Sequence, residues 1–189
     1  MTKSLFWPLF ALLIILTGAA KATTLENNPP SFQGANRPFT LLSPVDPAPS
    51  ATIYTLSGGI TTLKRFVGKV VLLNLWATWC PACVFELPTL GKLQANMGGD
   101  TFTVVALAID EGGAKAVSAY LKTIGLDNLP IYLDPTGRLL AALKVGNAQP
   151  LSVLIDHQSR VMGYMKGAAD WSSAQARALI VYYIRRVSP

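Results

Sequence analysis

The chain has 189 residues, of which 51% are hydrophobic and 14% charged, and it carries a formal net charge of +6. This length is sufficient for one domain with a substantial apolar core. The basic residues are scattered rather than arranged in a stripe with interleaved aromatic side chains, which argues against a protein that binds nucleic acid.

The N-terminal segment is typical of a secretory signal peptide. A lysine precedes an apolar run from Leu5 to Ala20, and this run ends in the small-residue pattern A-K-A at residues 20–22. The run is shorter than the roughly 20 residues that a membrane-spanning helix needs. We therefore expect residues 1–22 to be a cleaved signal peptide, with an uncleaved membrane anchor as the alternative. Both interpretations place the rest of the chain outside the cytoplasm, in the periplasm.

Residues 23–50 are rich in Pro, Asn and Ser, which is typical of a tether or arm rather than of a core. Four apolar residues in this arm are candidates for docking onto the domain: Phe32, Phe39, Leu41 and Leu42. The domain itself is predicted to occupy residues 51–189.

From residue 51 onward, strand and helix signals alternate. The continuous apolar run of residues 69–77, "KVVLLNLWA", predicts a strand that is buried on both faces. A helix is predicted for about Pro81–Met97, closed by two glycines. The other predicted elements are strands at 52–56, 102–109 and 129–134, helices at 113–125 and 136–146, a hairpin at 150–167, and a final helix within 170–187 with Asp170 or Ser172 as its cap. This order predicts an α/β fold with a central mixed sheet flanked by helices.

The only two cysteines, Cys80 and Cys83, lie at the predicted start of the long helix. Pro81 suits the first helical position, which makes Cys80 the N-cap residue. Its sulfur then lies over unpaired backbone N–H groups, whose partial positive charge favours the thiolate. Cys83 follows one turn later on the same face and is expected to be more buried. We therefore expect Cys80 to attack a disulfide and Cys83 to resolve the mixed disulfide.

A structural disulfide and a metal site are the alternative roles for this pair. A disulfide that closes so short a loop stabilises a protein by only about 2 kcal/mol, against about 3 kcal/mol for a 15-residue loop. Four-coordinate metal sites need several Cys or His ligands, and the chain offers only His157 besides the pair. We expect no metal site and no cofactor other than a redox-active disulfide, although a dithiol can bind Cu(I) transiently.

Glu86 lies three residues after Cys83, so its carboxylate is predicted to share a helix face with that sulfur. A carboxylate in a partly apolar cleft can accept the proton of the resolving thiol. The alternative is an ordinary surface glutamate in a first helical turn. The apolar neighbours Val84, Phe85 and Leu87 favour the occluded site.

The stretch "VVLLNLWATWCPAC", followed by "FELP", resembles the extracytoplasmic thioredoxin-like reductases of the TlpA-like and ResA-like group. The similarity covers about residues 51–187, and the blocks "LPIYLDPTGRLLAAL", "VLIDHQSRVMG" and "KGAADWSSAQARALI" resemble TlpA-like proteins in particular. The resemblance implies a thioredoxin fold, disulfide exchange through Cys80 and Cys83, and a cis-proline that faces them. Pro150 is the position that matches this proline, and Glu86 matches the glutamate that tunes the cysteines.

The same resemblance implies a substrate-binding surface formed by Trp79, Pro81, Gln149 and Pro150. Here the sequence departs from the family pattern, since "AQPL" replaces the usual Gly-x-Pro-Thr and puts Gln149 where partner backbones dock. The dipeptide between the cysteines has its proline first, as in many reductases of cytochrome c maturation. Asn74 occupies the place where cytoplasmic thioredoxins bury an aspartate, which leaves the glutamate as the available proton acceptor.

The sequence thus predicts a periplasmic thiol–disulfide oxidoreductase that reduces disulfides in partner proteins. The resemblance implies a membrane electron donor of the DsbD or CcdA kind, and targets in the copper site of cytochrome oxidase or in apocytochrome c. We expect a monomer with no nucleic-acid partner. The alternatives are a disulfide-forming oxidant and a Cu(I)-binding chaperone that uses His157 beside the two cysteines.

Overall fold

The structure is a computed structural model and describes residues 28–126 and 128–186. Its elements follow one another as β1 Thr40–Pro47, β2 Thr52–Thr55, β3 Ile60–Thr62, β4 Val70–Trp76, α1 Pro81–Met97, β5 Phe102–Ala108, α2 Gly113–Ile124, β6 Ile131–Leu133, α3 Arg138–Leu143, β7 Leu151–Ile155, β8 Arg160–Lys166 and α4 Ala174–Ile184, with a short 3-10 helix at Leu63–Phe66. The predicted signal peptide lies outside the described residues. Within the described ranges, no helix is both long and apolar enough to cross a membrane.

The eight strands form one mixed sheet in the order β1-β8-β7-β4-β5-β6-β2-β3. β4 pairs in parallel with β5 and antiparallel with β7, and all seven of its residues are buried. A strand covered on both faces carries apolar side chains without alternation, which explains the run VVLLNLW. The predicted α/β architecture with a central mixed sheet flanked by helices is confirmed.

Apolar side chains pack against both faces of this sheet. On one face, Leu72 and Trp76 of β4 join side chains of α1, α2 and α4. On the other face, Leu73 of β4 packs with Leu139 and Leu143 of α3. Because α1 follows β4 directly and lies against the first face, the start of α1 is held at the carboxyl end of β4.

Strand β1 corrects the interpretation of residues 23–50 as a tether. Thr40–Pro47 pairs antiparallel with β8 at one edge of the sheet. Prolines are tolerated on an edge strand, because one side of it has no hydrogen-bonding neighbour, so the prolines of this segment do not exclude a strand. Gly163 of β8 permits the close approach, since a Cβ there would lie 2.4 Å from the Thr40 carbonyl oxygen. The sheet therefore begins before residue 51.

The four apolar arm residues differ in how they dock. Phe32 is 3% exposed and belongs to the cluster on the α1 face, against which Phe39 also packs. Leu42 packs against the cluster on the opposite face, whereas Leu41 is largely exposed. Three of the four candidates therefore contact the core.

The cap of α4 is Ser173, and neither Asp170 nor Ser172 has that role. The Ser173 Oγ accepts a hydrogen bond from the Ala176 backbone N–H at 3.2 Å. Asp170 instead accepts from the Ser172 backbone N–H at 2.9 Å and shapes the preceding turn. The prediction was wrong because several candidate cap residues follow one another, and only the tertiary position of the helix selects one of them.

Asp134 is expected to contribute strongly to folding stability. It is 1% exposed, and its carboxylate accepts hydrogen bonds from the backbone N–H groups of Arg138, Leu139 and Leu140 at 2.8–3.2 Å. Asp134→Ala leaves these donors without their acceptor, so we expect a loss of about 2–3 kcal/mol in the free energy of unfolding. Urea denaturation at pH 7 measures this loss. The exposed Asp46→Ala is the control, and equal stabilities of the two variants would contradict the prediction.

Candidate active site

Cys80 and Cys83 lie at the N-terminus of α1 and form a disulfide, so the structure shows the oxidised pair. Cys80 is the N-cap residue and Pro81 begins the helix, as the sequence predicted. The Cys80 Sγ accepts a hydrogen bond from the Cys83 backbone N–H at 3.2 Å. The amide groups at the helix end therefore favour negative charge on the Cys80 sulfur once the bond is reduced.

The two cysteines differ in accessibility. Cys80 is 7% exposed, whereas Cys83 is 1% exposed and packs within the apolar cluster of the α1 face. A sulfur that attacks a disulfide in another protein must be reachable from solvent. The geometry favours Cys80 as the attacking residue and Cys83 as the resolving residue.

Asp110, which follows β5, holds the turn that leads from β4 to Cys80. Its carboxylate accepts hydrogen bonds from the Thr78 hydroxyl at 2.5 Å and from the Thr78 backbone N–H at 3.2 Å. The Cys80 backbone N–H closes the same turn on the Ala77 carbonyl at 3.1 Å. Sequence analysis missed Asp110. The available signal was that β4 and β5 are parallel neighbours, so the residues after each strand meet at one edge of the sheet.

The loop before β7 lies beside the same turn. Leu151 pairs with Leu75, so the preceding Gln149 and Pro150 lie level with the chain that leaves β4 toward Cys80. The Gln149–Pro150 bond is cis, as the resemblance implied. Pro150 is buried and Gln149 is half-buried. Strand register thus brings these two predicted binding positions to the edge of the sheet that carries the cysteines.

Three exposed apolar side chains lie within two residues of the cysteines in the sequence. Trp79 is 64% exposed and Phe85 is 81% exposed, and Pro81 is also exposed. The expectation that Phe85 helps to occlude Glu86 was wrong, because Phe85 lies on the solvent side of α1, whereas Leu87 is buried. Exposed large apolar residues next to a reactive group are typical of a surface that contacts another protein.

Glu86 is the buried carboxyl group of the site. It is 1% exposed, which confirms the predicted occluded environment. Burial destabilises the charged form and raises the pKa of Glu86 from 4.5 to about 8. Polar contacts with Trp171, Ser152 and the Ala169 backbone oppose this rise without cancelling it. A carboxyl group with this pKa exchanges protons readily with a thiol, whose ordinary pKa is about 8.5.

Two contacts of this carboxyl group come from residues that sequence analysis did not assign to the site. The Trp171 Nε1 donates a hydrogen bond to the Glu86 Oε1, and Trp171 is fully buried. The Ser152 hydroxyl accepts a hydrogen bond from the Asn74 Nδ2 at 2.9 Å across the β4–β7 pair. Glu86 Oε2 has no hydrogen-bond partner of normal geometry among the described residues. Asn74 thus bonds to Ser152, a residue that also lowers the pKa of Glu86.

His157 is separated from the cysteine pair, so the alternative in which it is a third Cu(I) ligand does not fit the structure. It lies in the turn after β7, where its carbonyl accepts a hydrogen bond from the Gly68 backbone N–H at 2.9 Å. The cysteines lie beyond the other end of β7, and five residues of strand span more than about 13 Å. Among the described residues, no cluster of three or more Cys, His, Asp or Glu side chains has the arrangement of a metal site.

Comparison with known protein families shows which family this chain resembles. The Redoxin family model matches residues 44–180 of the chain, which include both cysteines and the cis-proline loop. The chain belongs to the Redoxin family. The match begins within β1, in agreement with the position of that strand in the sheet.

Individual relatives are similar to this chain over most of their length. Thiol-disulfide oxidoreductase ResA of Bacillus cereus is 29% identical over 178 residues, which are 94% of each chain. ResA of Bacillus thuringiensis subsp. konkukian is 30% identical over 142 residues, which are 75% of this chain and 77% of the relative. The crystal structure of a thiol:disulfide interchange protein of the thioredoxin family from Chlorobium tepidum TLS superposes with a TM-score of 0.63 at 27% identity, covering 76% of this chain and 99% of that one. The protein therefore has the predicted thioredoxin fold and is a TlpA/ResA-like thiol–disulfide oxidoreductase.

Proposed function

We propose that this protein is a periplasmic disulfide reductase, in which the reduced Cys80–Cys83 pair transfers two electrons to a disulfide of a partner protein. The observation that carries the proposal is the position of Cys80, whose sulfur caps α1 and is the more exposed of the two. Neither Pro81 nor Ala82 adds a positive charge, so the helix end is the main source of thiolate stabilisation within the motif. A strong disulfide-forming oxidant has a high reduction potential because its reduced form is highly stabilised, and this motif does not favour such stabilisation.

The reaction begins when the Cys80 thiolate attacks the partner disulfide. A bond forms between Cys80 and one partner sulfur, while the partner disulfide breaks and its other sulfur leaves as a thiolate. Cys83 then loses its proton to the Glu86 carboxylate and attacks the Cys80 sulfur. This step releases the second partner thiolate and yields the Cys80–Cys83 disulfide of the structure. The partner gains two electrons, and its thiolates take up protons from Glu86 and from solvent.

Glu86 has a different protonation state in each half of the cycle. In the oxidised protein its pKa of about 8 keeps it protonated at neutral pH. It can then donate a proton to the Cys83 sulfur while an electron donor re-reduces the pair. In the reduced protein the deprotonated carboxylate accepts the Cys83 proton. Because the carboxyl and thiol pKa values are similar, the proton transfer is close to balanced in both directions.

We assign partner docking to Trp79, Pro81, Gln149 and Pro150. Trp79 and Pro81 offer exposed apolar surface beside Cys80, and strand register places Gln149 and Pro150 next to the same turn. Phe85 extends this apolar surface along α1. A partner segment that lies across these residues would bring its disulfide to the Cys80 sulfur.

A reductant outside the cytoplasm needs a supply of electrons, because that compartment favours disulfides. A membrane donor of the DsbD or CcdA kind meets this need. Oxidised cysteines in the copper site of cytochrome oxidase or in apocytochrome c are the proposed targets. The support for these assignments is the predicted N-terminal signal peptide or anchor and the resemblance to TlpA-like proteins. We further propose that the protein acts as a monomer.

The reduction potential of the Cys80–Cys83 pair tests the direction of electron flow. We expect a value between about −220 and −300 mV, in the range of reductants such as thioredoxin. The measurement equilibrates the purified protein with dithiothreitol buffers of known potential and separates the two redox forms after thiol alkylation. The double variant Cys80→Ser/Cys83→Ser gives the unreactive baseline. A potential above about −180 mV would identify an oxidant and contradict the proposal.

A further inference from the structure

Trp171, from the loop before α4, is attached to the turn of α1 that carries Glu86. Its indole N–H donates to the Glu86 Oε1, and its backbone N–H donates to the Thr89 Oγ1 at 3.2 Å. The Thr89 hydroxyl in turn donates to the Glu86 carbonyl oxygen at 2.8 Å. Two links therefore fix the indole relative to the carboxyl group, one through the side chain and one through the backbone of the same turn.

The N-terminal arm covers this indole. The rings of Phe32 and Trp171 have centroids 4.9 Å apart and an interplanar angle of 53°, and Phe32 is 3% exposed. The arm segment folds back on itself, because the Phe39 backbone N–H donates to the Phe32 carbonyl at 2.8 Å. It is attached to the loop of Trp171 by a hydrogen bond from the Ala35 backbone N–H to the Ala168 carbonyl at 2.9 Å. Phe32 therefore covers the indole that contacts Glu86, and these two hydrogen bonds hold the arm in that position.

We propose that Trp171 is a positioning residue of the thiol–disulfide reaction, which holds the Glu86 carboxyl group on the face of α1 that carries Cys83, and that Phe32 keeps water from this contact. The inference rests on the proposed role of Glu86 as the proton carrier for Cys83. It assigns to the N-terminal arm a part in the chemistry, although the arm is distant in sequence from the cysteines.

The two residues have opposite effects on the protonation of Glu86. An indole N–H is only a donor, so it stabilises the ionised carboxylate and lowers the pKa of Glu86. Phe32 excludes water and thereby contributes to the burial that raises the same pKa. The groups facing Glu86 are this indole, the Ser152 hydroxyl of β7 and the Ala169 backbone, none of which titrates near neutral pH. Cys80 and Cys83, on the same helix, do not titrate while they form a disulfide.

The test measures the titration of Glu86 directly in the oxidised protein. The carboxyl stretching band is followed by infrared spectroscopy against pH, and the spectrum of Glu86→Gln identifies the Glu86 contribution. Trp171→Phe keeps an aromatic ring but removes the hydrogen-bond donor. The Glu86 midpoint, which is the pH at which half of the Glu86 carboxyl groups are ionised, should therefore rise by about one pH unit, a tenfold change in proton affinity. Phe32→Ala admits water, so the midpoint should fall by a similar amount. The inference would be overturned if both midpoints shifted in the same direction, or if the midpoint of either one of the two variants stayed unchanged.

The control variant is Phe66→Ala, which removes a buried ring from the apolar cluster on the opposite face of the sheet. It should lower stability without moving the Glu86 midpoint. Should Trp171→Phe fail to fold, Phe32→Ala decides alone, since an unchanged midpoint in that variant contradicts the inference.

A second readout separates this inference from the proposed function. Resolution by Cys83 is timed from the mixed disulfide that Cys80 forms with thionitrobenzoate, and its pH dependence should move with the Glu86 midpoint in each variant. If Glu86→Gln resolves this mixed disulfide as fast as the parent protein, Glu86 is not the proton carrier and the proposed function fails in that respect. If Glu86→Gln is slow but Trp171→Phe and Phe32→Ala retain the parent pH profile, only the positioning role fails.

Discussion

Cys80→Ser is expected to lower the rate of partner-disulfide reduction by more than about a thousandfold, because a serine hydroxyl cannot replace the attacking thiolate. Cys83→Ser is expected to retain the attack but to stop at the mixed disulfide, since no second sulfur releases the partner. The structure supports this division of roles, because Cys80 is both the N-cap of α1 and the more exposed cysteine. Reduction of a small aromatic disulfide by the reduced protein measures the first effect.

Trapping in cells measures the second effect. The Cys83→Ser protein should accumulate in covalent complexes that dithiothreitol releases, and the identity of the captured protein distinguishes the proposed targets. An oxidase copper subunit, an apocytochrome c and an unrelated folding substrate would each indicate a different physiological role. Cys80→Ser, with Cys83 intact, is the matched control. If that control captured partners and Cys83→Ser did not, the roles of the two cysteines would be reversed.

The centre of the fold could be predicted because its signals are local. The composition of the run VVLLNLW alone predicts a strand that is buried on both faces. Pro81 at the start and two glycines after the end predict the helix α1 from Pro81 to Met97. The N-cap position of Cys80 follows from the same local pattern. These features depend on residues that are adjacent in sequence, so no knowledge of the remaining chain is needed.

Features that depend on distant pairing could not be predicted in the same way. β1 carries prolines that indicate an irregular segment, and only its place at the edge of the sheet makes a strand possible. Trp171 reaches Glu86 from 85 residues away along the chain. The exposure of Phe85 depends on which side of α1 packs against the sheet. In each case the deciding contact is tertiary, and local sequence does not contain it.

Glu86→Gln is expected to stabilise the oxidised protein by about 4 kcal/mol at pH 8. The folded-state pKa of Glu86 is about 8, whereas the same group in an unfolded chain ionises near 4.5. Between these values the folded protein binds the proton more tightly than the unfolded chain, so stability decreases as pH rises from 4.5 to 8. Glutamine is neutral at every pH and keeps an oxygen that can accept from Trp171, so the variant avoids this loss.

The pH dependence makes this expectation specific to the buried carboxyl group. The free energies of unfolding of Glu86→Gln and of the parent protein should be similar near pH 4 and diverge by about 1.4 kcal/mol per pH unit toward pH 8. Urea denaturation at several pH values, with the disulfide intact, measures the difference. Glu111→Gln changes the same charge at an exposed position and should follow the parent curve. A difference between Glu86→Gln and the parent that stayed constant with pH would mean that the group is ionised in the folded protein. Glu86 could then not hold a proton for the Cys83 sulfur at neutral pH, so the curve also tests the chemistry proposed for the site.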